Sequence, residues 1–250
     1  MKITIIGSGN VATLLGRLIL KSKHTIVQIV SRNKEEGKIL AKTLKCGYAD
    51  FHNNINSKAD LFIVAVSDTA LEECAAKLNL KNKLVVHTAG AVSKNILKNV
   101  SGRYGVLYPL QSIRKEIKKI PSIPFLIDAE NEIDLKLLMK FARSLSKNVS
   151  IANDEERLKL HAAAVIVSNF TNHLYAMAEA FCKNENLNFN LLKPLITETA
   201  SRIRKISPSD LQTGPAIRND KVTIEKHLEL LSNYPKLKAV YNCITESIIP

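Results

Sequence analysis

The sequence predicts an α/β protein, with an N-terminal doubly wound (Rossmann) parallel sheet followed by an all-α C-terminal domain. Three observations carry this. Short β-branched runs alternate with helical periodicities as far as Ile151. A glycine turn, Gly7-Ser8-Gly9-Asn10-Val11-Ala12, joins the first such run to the first helical one. From Asp154 onward the helical period continues and no strand pattern interrupts it. The boundary falls near Ala152, giving domains over 1–152 and 153–250.

Taken in order, Lys2-Ile3-Thr4-Ile5-Ile6 reads as a buried strand, and Leu14, Leu15, Leu18 and Ile19 lie at helical spacing behind the glycine turn. Gly7 permits a tight turn, Gly9 lets the backbone approach a pyrophosphate, and Ala12 keeps helix and strand close. The free N–H groups of Ser8, Asn10 and Val11, at the helix start, then face negative charge. The second strand is Thr25–Val30 and ends in Ser31-Arg32-Asn33. An acidic residue at this distance from the glycine turn would bond the ribose 2′-hydroxyl of NAD. None stands there. Arg32 offers a charged fork to a 2′-phosphate, and Ser31 and Asn33 offer neutral hydrogen bonds, so NADP is expected over NAD.

A helix is predicted from Lys34 to Leu44. Leu61–Val66 is a near-continuous apolar run, as a strand covered on both faces should be. Thr69 and Glu72 then stand at capping-box spacing for the next helix. Strands follow at Leu84–His87, Tyr104–Tyr108 and Phe125–Asp128, and an amphipathic helix from Asn131 to Leu145. Ligands of such sheets bind beside the C-terminal strand ends. Those ends carry Val66, Ser67 and Asp68, then His87, Thr88, Ala89 and Gly90, and then Tyr108 and Gln111. The residues nearest the glycine turn are expected to hold the cofactor, Tyr108 and Gln111 the substrate, and His87 is a candidate acid.

The helical half begins with a long helix from Asp154 to Lys183. Further helices are predicted at Phe189–Lys205, Thr223–Leu231 and Pro235–Ile248, with a turn-rich loop from Ser207 to Asp220. At about 100° per residue, His161, Ser168 and Asn172 fall close to one line of the long helix, with Asn169 to one side. Polar groups among Ala, Val and Ile need partners or a ligand. Two readings stand: the stripe lines the substrate side of a nicotinamide, or it forms an interhelix network or dimer contact. No acidic residue or second histidine stands at ligand spacing from His161, so no metal is expected.

Composition narrows the function classes. With 46% hydrophobic and 24% charged residues the chain is a globular protein, not a disordered or fibrous one. No apolar run reaches bilayer-spanning length, and the N-terminal apolar stretch stops at Gly7, short of a signal peptide. Four scattered cysteines without a CxxC pair read as reduced thiols, so a cytoplasmic location is expected. The net charge of +13 comes from dispersed lysines, densest at Arg114-Lys115-Glu116-Ile117-Lys118-Lys119. Tryptophan is absent and aromatics do not interleave with the basic residues, so neither nucleic acid nor membrane is an expected partner. A basic surface would still steer a phosphorylated cofactor.

The chain resembles the Rossmann-like NADP oxidoreductase family whose helical C-terminal domain is of unknown function. The resemblance rests on the glycine turn, on His87-Thr88-Ala89-Gly90-Ala91-Val92-Ser93, on Tyr108-Pro109-Leu110-Gln111-Ser112, on His161-Ala162-Ala163-Ala164 with Ser168-Asn169, and on Thr213-Gly214-Pro215 with Arg218 and Asp220. That family is similar to pyrroline-5-carboxylate reductase and to the 6-phosphogluconate and β-hydroxyacid dehydrogenases. The resemblance implies NADP in the N-terminal domain, catalysis in an interdomain cleft and a homodimer built by the helices. The β-hydroxyacid dehydrogenases carry a catalytic lysine four residues before an asparagine on the long helix. Here Val165 and Ser168 stand four before Asn169 and Asn172. Imine reduction is thereby favoured over alcohol oxidation, with His161, Ser168 or His87 as acid or orienting group and Asn169 beside them. Arg218 is a candidate for a substrate carboxylate. The alternative is an NADP-binding sensor or assembly protein without turnover.

Overall fold

The computed structural model describes residues 1–51, 55–56, 58–116 and 119–249. Ile117 and Lys118 of the basic cluster lie outside them. The chain forms two compact units, Met1–Phe170 and Thr171–Pro250.

The first unit is built on a sheet of eight strands: β1 (Lys2–Ile6), β2 (Thr25–Val30), β3 (Gly47–Ala49), β4 (Leu61–Val64), β5 (Lys81–His87), β6 (Ser101–Pro109), β7 (Phe125–Ala129) and β8 (Val149–Ile151). Their order is β3-β2-β1-β4-β5-β6-β7-β8. The order reverses between β1 and β4, which pair in parallel from Ile3 opposite Leu61 to Ile6 opposite Val64. A crevice opens at such a reversal, outside the carboxyl ends of the strands.

Side-chain alternation explains why these runs are apolar throughout. Ile3, Ile5, Leu61, Ile63, Leu84 and Val86 pack on one face with α1 (Asn10–Leu20), α2 (Lys34–Thr43) and α4 (Glu132–Leu145). Ile6, Phe62, Val64 and Val85 pack on the other with Leu71, Cys74 and Ala75 of α3 (Asp68–Ala76). Both faces are covered, as a parallel sheet requires.

Asparagine sets several helix starts. Asn33 accepts a hydrogen bond from the Glu36 N–H, and Asn131 from the Asp134 N–H. Asn153 and Glu156 complete a capping box at the head of α5 (Asp154–Ala164). The box expected at Thr69 and Glu72 does not form. Ser67 is the N-cap of α3, and its hydroxyl pairs with that of Thr69 at 3.2 Å, which places Thr69 inside the helix.

Two further expectations are corrected. The sheet is not wholly parallel, because β6 and β7 pair antiparallel. A parallel partner needs a helical crossover, and the described residues between these strands contain no helix. The predicted single helix from Asp154 to Lys183 is three stretches: α5, a π-helical stretch Val165–Phe170, and α6 (Thr171–Asn184). Its surroundings are not wholly apolar cover either, since Ile166, Val167 and Phe170 are exposed.

The second unit comprises α6, α7 (Lys193–Arg202), α8 (Lys221–Leu230) and α9 (Pro235–Ile248). Within it Phe181 meets Tyr234 edge to face at 5.1 Å, and the Tyr234 hydroxyl donates to Glu185. His227 Nδ1 and the Tyr241 hydroxyl are 2.8 Å apart. Among its described residues only Cys182, Ala216, Ile224, Leu231 and Thr245 are buried. No helix of the described residues is long and apolar enough to cross a membrane.

Candidate active site

The glycine turn leaves β1 at Gly7, whose φ is +125°. A Cβ there would lie 2.1 Å from the Ala65 carbonyl oxygen, so β1 and the end of β4 close up only over glycine. Gly9 is extended and caps α1, and nothing lies within 4 Å of the position its Cβ would take. No acidic residue occupies the first turn of α1 and no side chain caps it. Its first N–H groups are thus left to an anion, and Gly9 leaves room for one. Ala12 is fully buried beneath the turn.

Beside this turn lies a cleft of about 370 Å³, lined by Gly7, Ser8, Gly9, Ser31, Arg32, Asn33, Val66 and Ser67, by Glu73 of α3 and by Lys77, which caps that helix at its C-terminus. Arg32 is exposed in it. Ser31 and Asn33, expected as neutral phosphate ligands, line the cleft with Arg32 and also make bonds within the fold. The buried Ser31 hydroxyl donates to the Asn33 carbonyl at 3.0 Å and accepts from Ser8 at 2.8 Å, while Asn33 caps α2. They tie the end of β2 to the glycine turn and hold Arg32 between them.

A second cleft, of about 730 Å³, shares Val66 and Ser67 with the first. It is lined by Asn10, Val11, Asp68, Thr88, Gly90, Tyr108, Gln111, His161, Ser168 and Asn169, among others, all of the first unit. The Tyr108 hydroxyl stands 2.8 Å from His161 Nδ1, with the rings edge to face. Gly90 makes room for this pair, since a Cβ there would lie 2.7 Å from His161 Nδ1 and 3.0 Å from Tyr108 Cζ. Burial pushes the Tyr108 pKa up, and the charge of Asp68 adds to this, against a smaller opposing effect from Arg157. The phenol therefore keeps its proton at neutral pH and stands as a donor.

Behind the pair lies Arg157, which is 1% exposed. Its Nη2 donates to the Val92 carbonyl and, at 2.7 Å, to Asp154, which also accepts from the Lys94 N–H at 3.1 Å. The head of α5 is thereby fastened to the loop after Gly90, and His161 follows one turn on. Arg157 stands four residues before His161 on one helix face; that spacing was the signal in the sequence.

His87 departs from its expected place. It is fully buried at the end of β5 and lines neither cleft. Its Nδ1 accepts from the Ala89 N–H at 3.2 Å. Burial, helped by Arg157, lowers its pKa to about 4, so it is a neutral structural group. Ala89 is likewise buried and lines neither cleft. Asn172 and Arg218 belong to the second unit, where both are exposed, and Asp220 there is held below the usual carboxylate range chiefly by its hydrogen bonds from Thr223, with the charge of Arg218 a smaller contribution.

The π-helical stretch accounts for the company His161 keeps. With i→i+5 bonding each residue turns through less than the α-helical angle, so Asn169 swings back toward the line of His161. Ser168 and Asn169 both line the cleft with it.

Residues 123–248 match the family described as a domain of unknown function, DUF2520, and residues 2–90 match that described as NADP oxidoreductase coenzyme F420-dependent. The crystal structure of a candidate NADP oxidoreductase from Bacteroides fragilis is 38% identical, with a TM-score of 0.91 over 99% of this chain and 97% of that one. The chain belongs to the family that joins these two domains. Likeness of fold extends further. A 1-pyrroline-5-carboxylate reductase from Streptococcus pyogenes is 16% identical with a TM-score of 0.66, covering 99% of this chain and 98% of that one. An imine reductase from Myxococcus stipitatus, in complex with NADP+, is 17% identical with a TM-score of 0.67, covering 99% and 93%. A comparison with curated proteins gives no match.

Proposed function

We propose that the protein is an NADP-dependent reductase acting on a small C=N or C=O substrate in the cleft beside Tyr108 and His161. The Tyr108–His161 pair, 2.8 Å apart in the cleft that shares Val66 and Ser67 with the dinucleotide cradle, carries this reading. Bound NADPH would supply the hydride. The glycine turn and the N-terminus of α1 bind pyrophosphate, and Arg32 binds the 2′-phosphate. With His161 protonated at Nδ1, that N–H donates to the Tyr108 oxygen and leaves the phenolic proton directed into the cleft. When Tyr108 gives its proton to the substrate nitrogen or oxygen, the Nδ1 proton follows to the phenol oxygen while Nε2 takes up a proton from solvent, so the imidazole stays neutral. Ser168 and Asn169 orient the substrate. The pair thus takes the place of the lysine missing before Asn169.

The test is a fluorescence titration of the purified protein with NADPH and NADH, followed by turnover of cyclic imines and ketoacids. We expect NADPH to bind at least ~10-fold more tightly than NADH, and at least one imine to be reduced. Absence of binding of either cofactor would overturn the reading. Binding without turnover of any substrate would favour the sensor.

The helical unit supports a second copy of the chain as partner. Leu191 is 76% exposed and Leu195 64%, with Leu187, Val222 and Leu230 also open to solvent. So little of this unit is buried that apolar cover from outside is required. Sedimentation at rising concentration is expected to show twice the mass of the chain. A monomer throughout would remove the dimer.

A further inference from the structure

Two cations converge on one carboxylate in the first cleft. Lys77 Nζ is 2.6 Å from Glu73 Oε1, and Arg32 Nη1 is 3.8 Å from Glu73 Oε2. All three side chains line the cleft that holds the glycine turn and Ser31. They are 80%, 58% and 53% exposed at Arg32, Glu73 and Lys77. Each cation addresses a different oxygen of the same anion, on the side of the cleft where β2 ends.

We propose that Glu73 determines cofactor specificity: its carboxylate occupies the place of the cofactor's 2′-phosphate between Arg32 and Lys77, and is displaced when NADPH binds. Lys77 is then the second cation of the phosphate site. The proposal rests on the NADP reading above. Exposed ion pairs of this kind are weak and exchange readily. A phosphate carries more charge than one carboxylate and offers three acceptor oxygens, so it wins both cations. The displaced carboxylate remains anchored on α3 and repels the phosphate it has yielded to, which holds NADPH affinity down. When NADH binds, no phosphate competes, and Glu73 accepts a hydrogen bond from the ribose 2′-hydroxyl. One side chain thereby weakens the preferred cofactor and supports the other. The Lys77 hydrogen bond keeps the Glu73 pKa below the usual carboxylate range, so the charge is present at neutral pH.

The experiment compares wild type, Arg32→Ala, Glu73→Gln and Lys77→Gln by fluorescence titration with NADPH and NADH at low and high salt. Glu73→Gln is expected to tighten NADPH about 5-fold and to weaken NADH about 2-fold, and Lys77→Gln to weaken NADPH about 5-fold with NADH little changed. NADPH affinity should fall more steeply with salt in Glu73→Gln than in wild type. If Arg32→Ala weakens NADPH but Glu73→Gln leaves it unchanged or weaker, the role of Glu73 is overturned and the NADP reading stands. If wild type shows no preference for NADPH and Arg32→Ala has no effect, the NADP reading fails and the proposal with it. Circular dichroism of each variant separates loss of binding from loss of fold.

Discussion

His161→Ala is expected to lower turnover by about 10²–10⁴-fold while NADPH binds within about twofold of wild type, and Tyr108→Phe is expected to do the same. Neither side chain lines the first cleft, where the cofactor's adenosine end is proposed to sit, so ground-state affinity for the dinucleotide survives. What is lost is the proposed proton relay, in which Tyr108 donates to the substrate and is resupplied across the 2.8 Å contact with His161. Because the two act as one unit, the double variant should be little slower than either single one. A substrate that is permanently cationic, such as an N-alkylated iminium, needs no proton on reduction. With it Tyr108→Phe should lose only a small factor. The measurement is steady-state kinetics on both substrate types. A wild-type rate for either single variant with a neutral imine would remove the pair from the mechanism.

The sequence carried the fold further than the site. Strand runs at Lys2–Ile6, Thr25–Val30 and Phe125–Asp128 were legible because burial on both faces leaves little room for polar residues. β3 escaped: Gly47-Tyr48-Ala49 is three residues long with no β-branched side chain, and it is a strand only because Val30 and its neighbours pair with it. The antiparallel direction of β7 escaped because strand direction depends on what the intervening loop does. Of the residues named from strand ends, the topology delivers Ser67, Thr88, Gly90 and Tyr108 to the rim of one cleft. His87 lines neither cleft because a strand end alternates like the rest of the strand, and this residue falls on the covered side. The stripe on the long helix was read at a constant turn per residue, and the π-helical stretch breaks that constancy between Ala164 and Thr171. The Tyr108–His161 contact joins residues far apart in sequence, and no local pattern announces it.

The two glycines of the turn separate fold from function. Gly7→Ala is expected to destabilise the protein by about 3–5 kcal/mol, combining a left-handed backbone that alanine adopts at a cost with overpacking against the Ala65 carbonyl. At φ +125° and 2.1 Å from that oxygen the added methyl has nowhere to go, since the carbonyl is fixed at the end of β4. Gly9→Ala meets nothing within 4 Å and its backbone is extended, so its effect on stability should stay below about 1 kcal/mol. Its methyl enters the space that a pyrophosphate needs, and cofactor affinity should fall by at least ~10-fold. Urea unfolding and cofactor titration of the two variants measure the contrast. The motif predicts importance for both glycines alike, whereas the geometry predicts an unstable protein in one case and a stable protein with impaired binding in the other. A Gly9→Ala protein that binds NADPH as tightly as wild type would show that the pyrophosphate does not approach this backbone, and the cradle would have to be sought elsewhere along the first cleft.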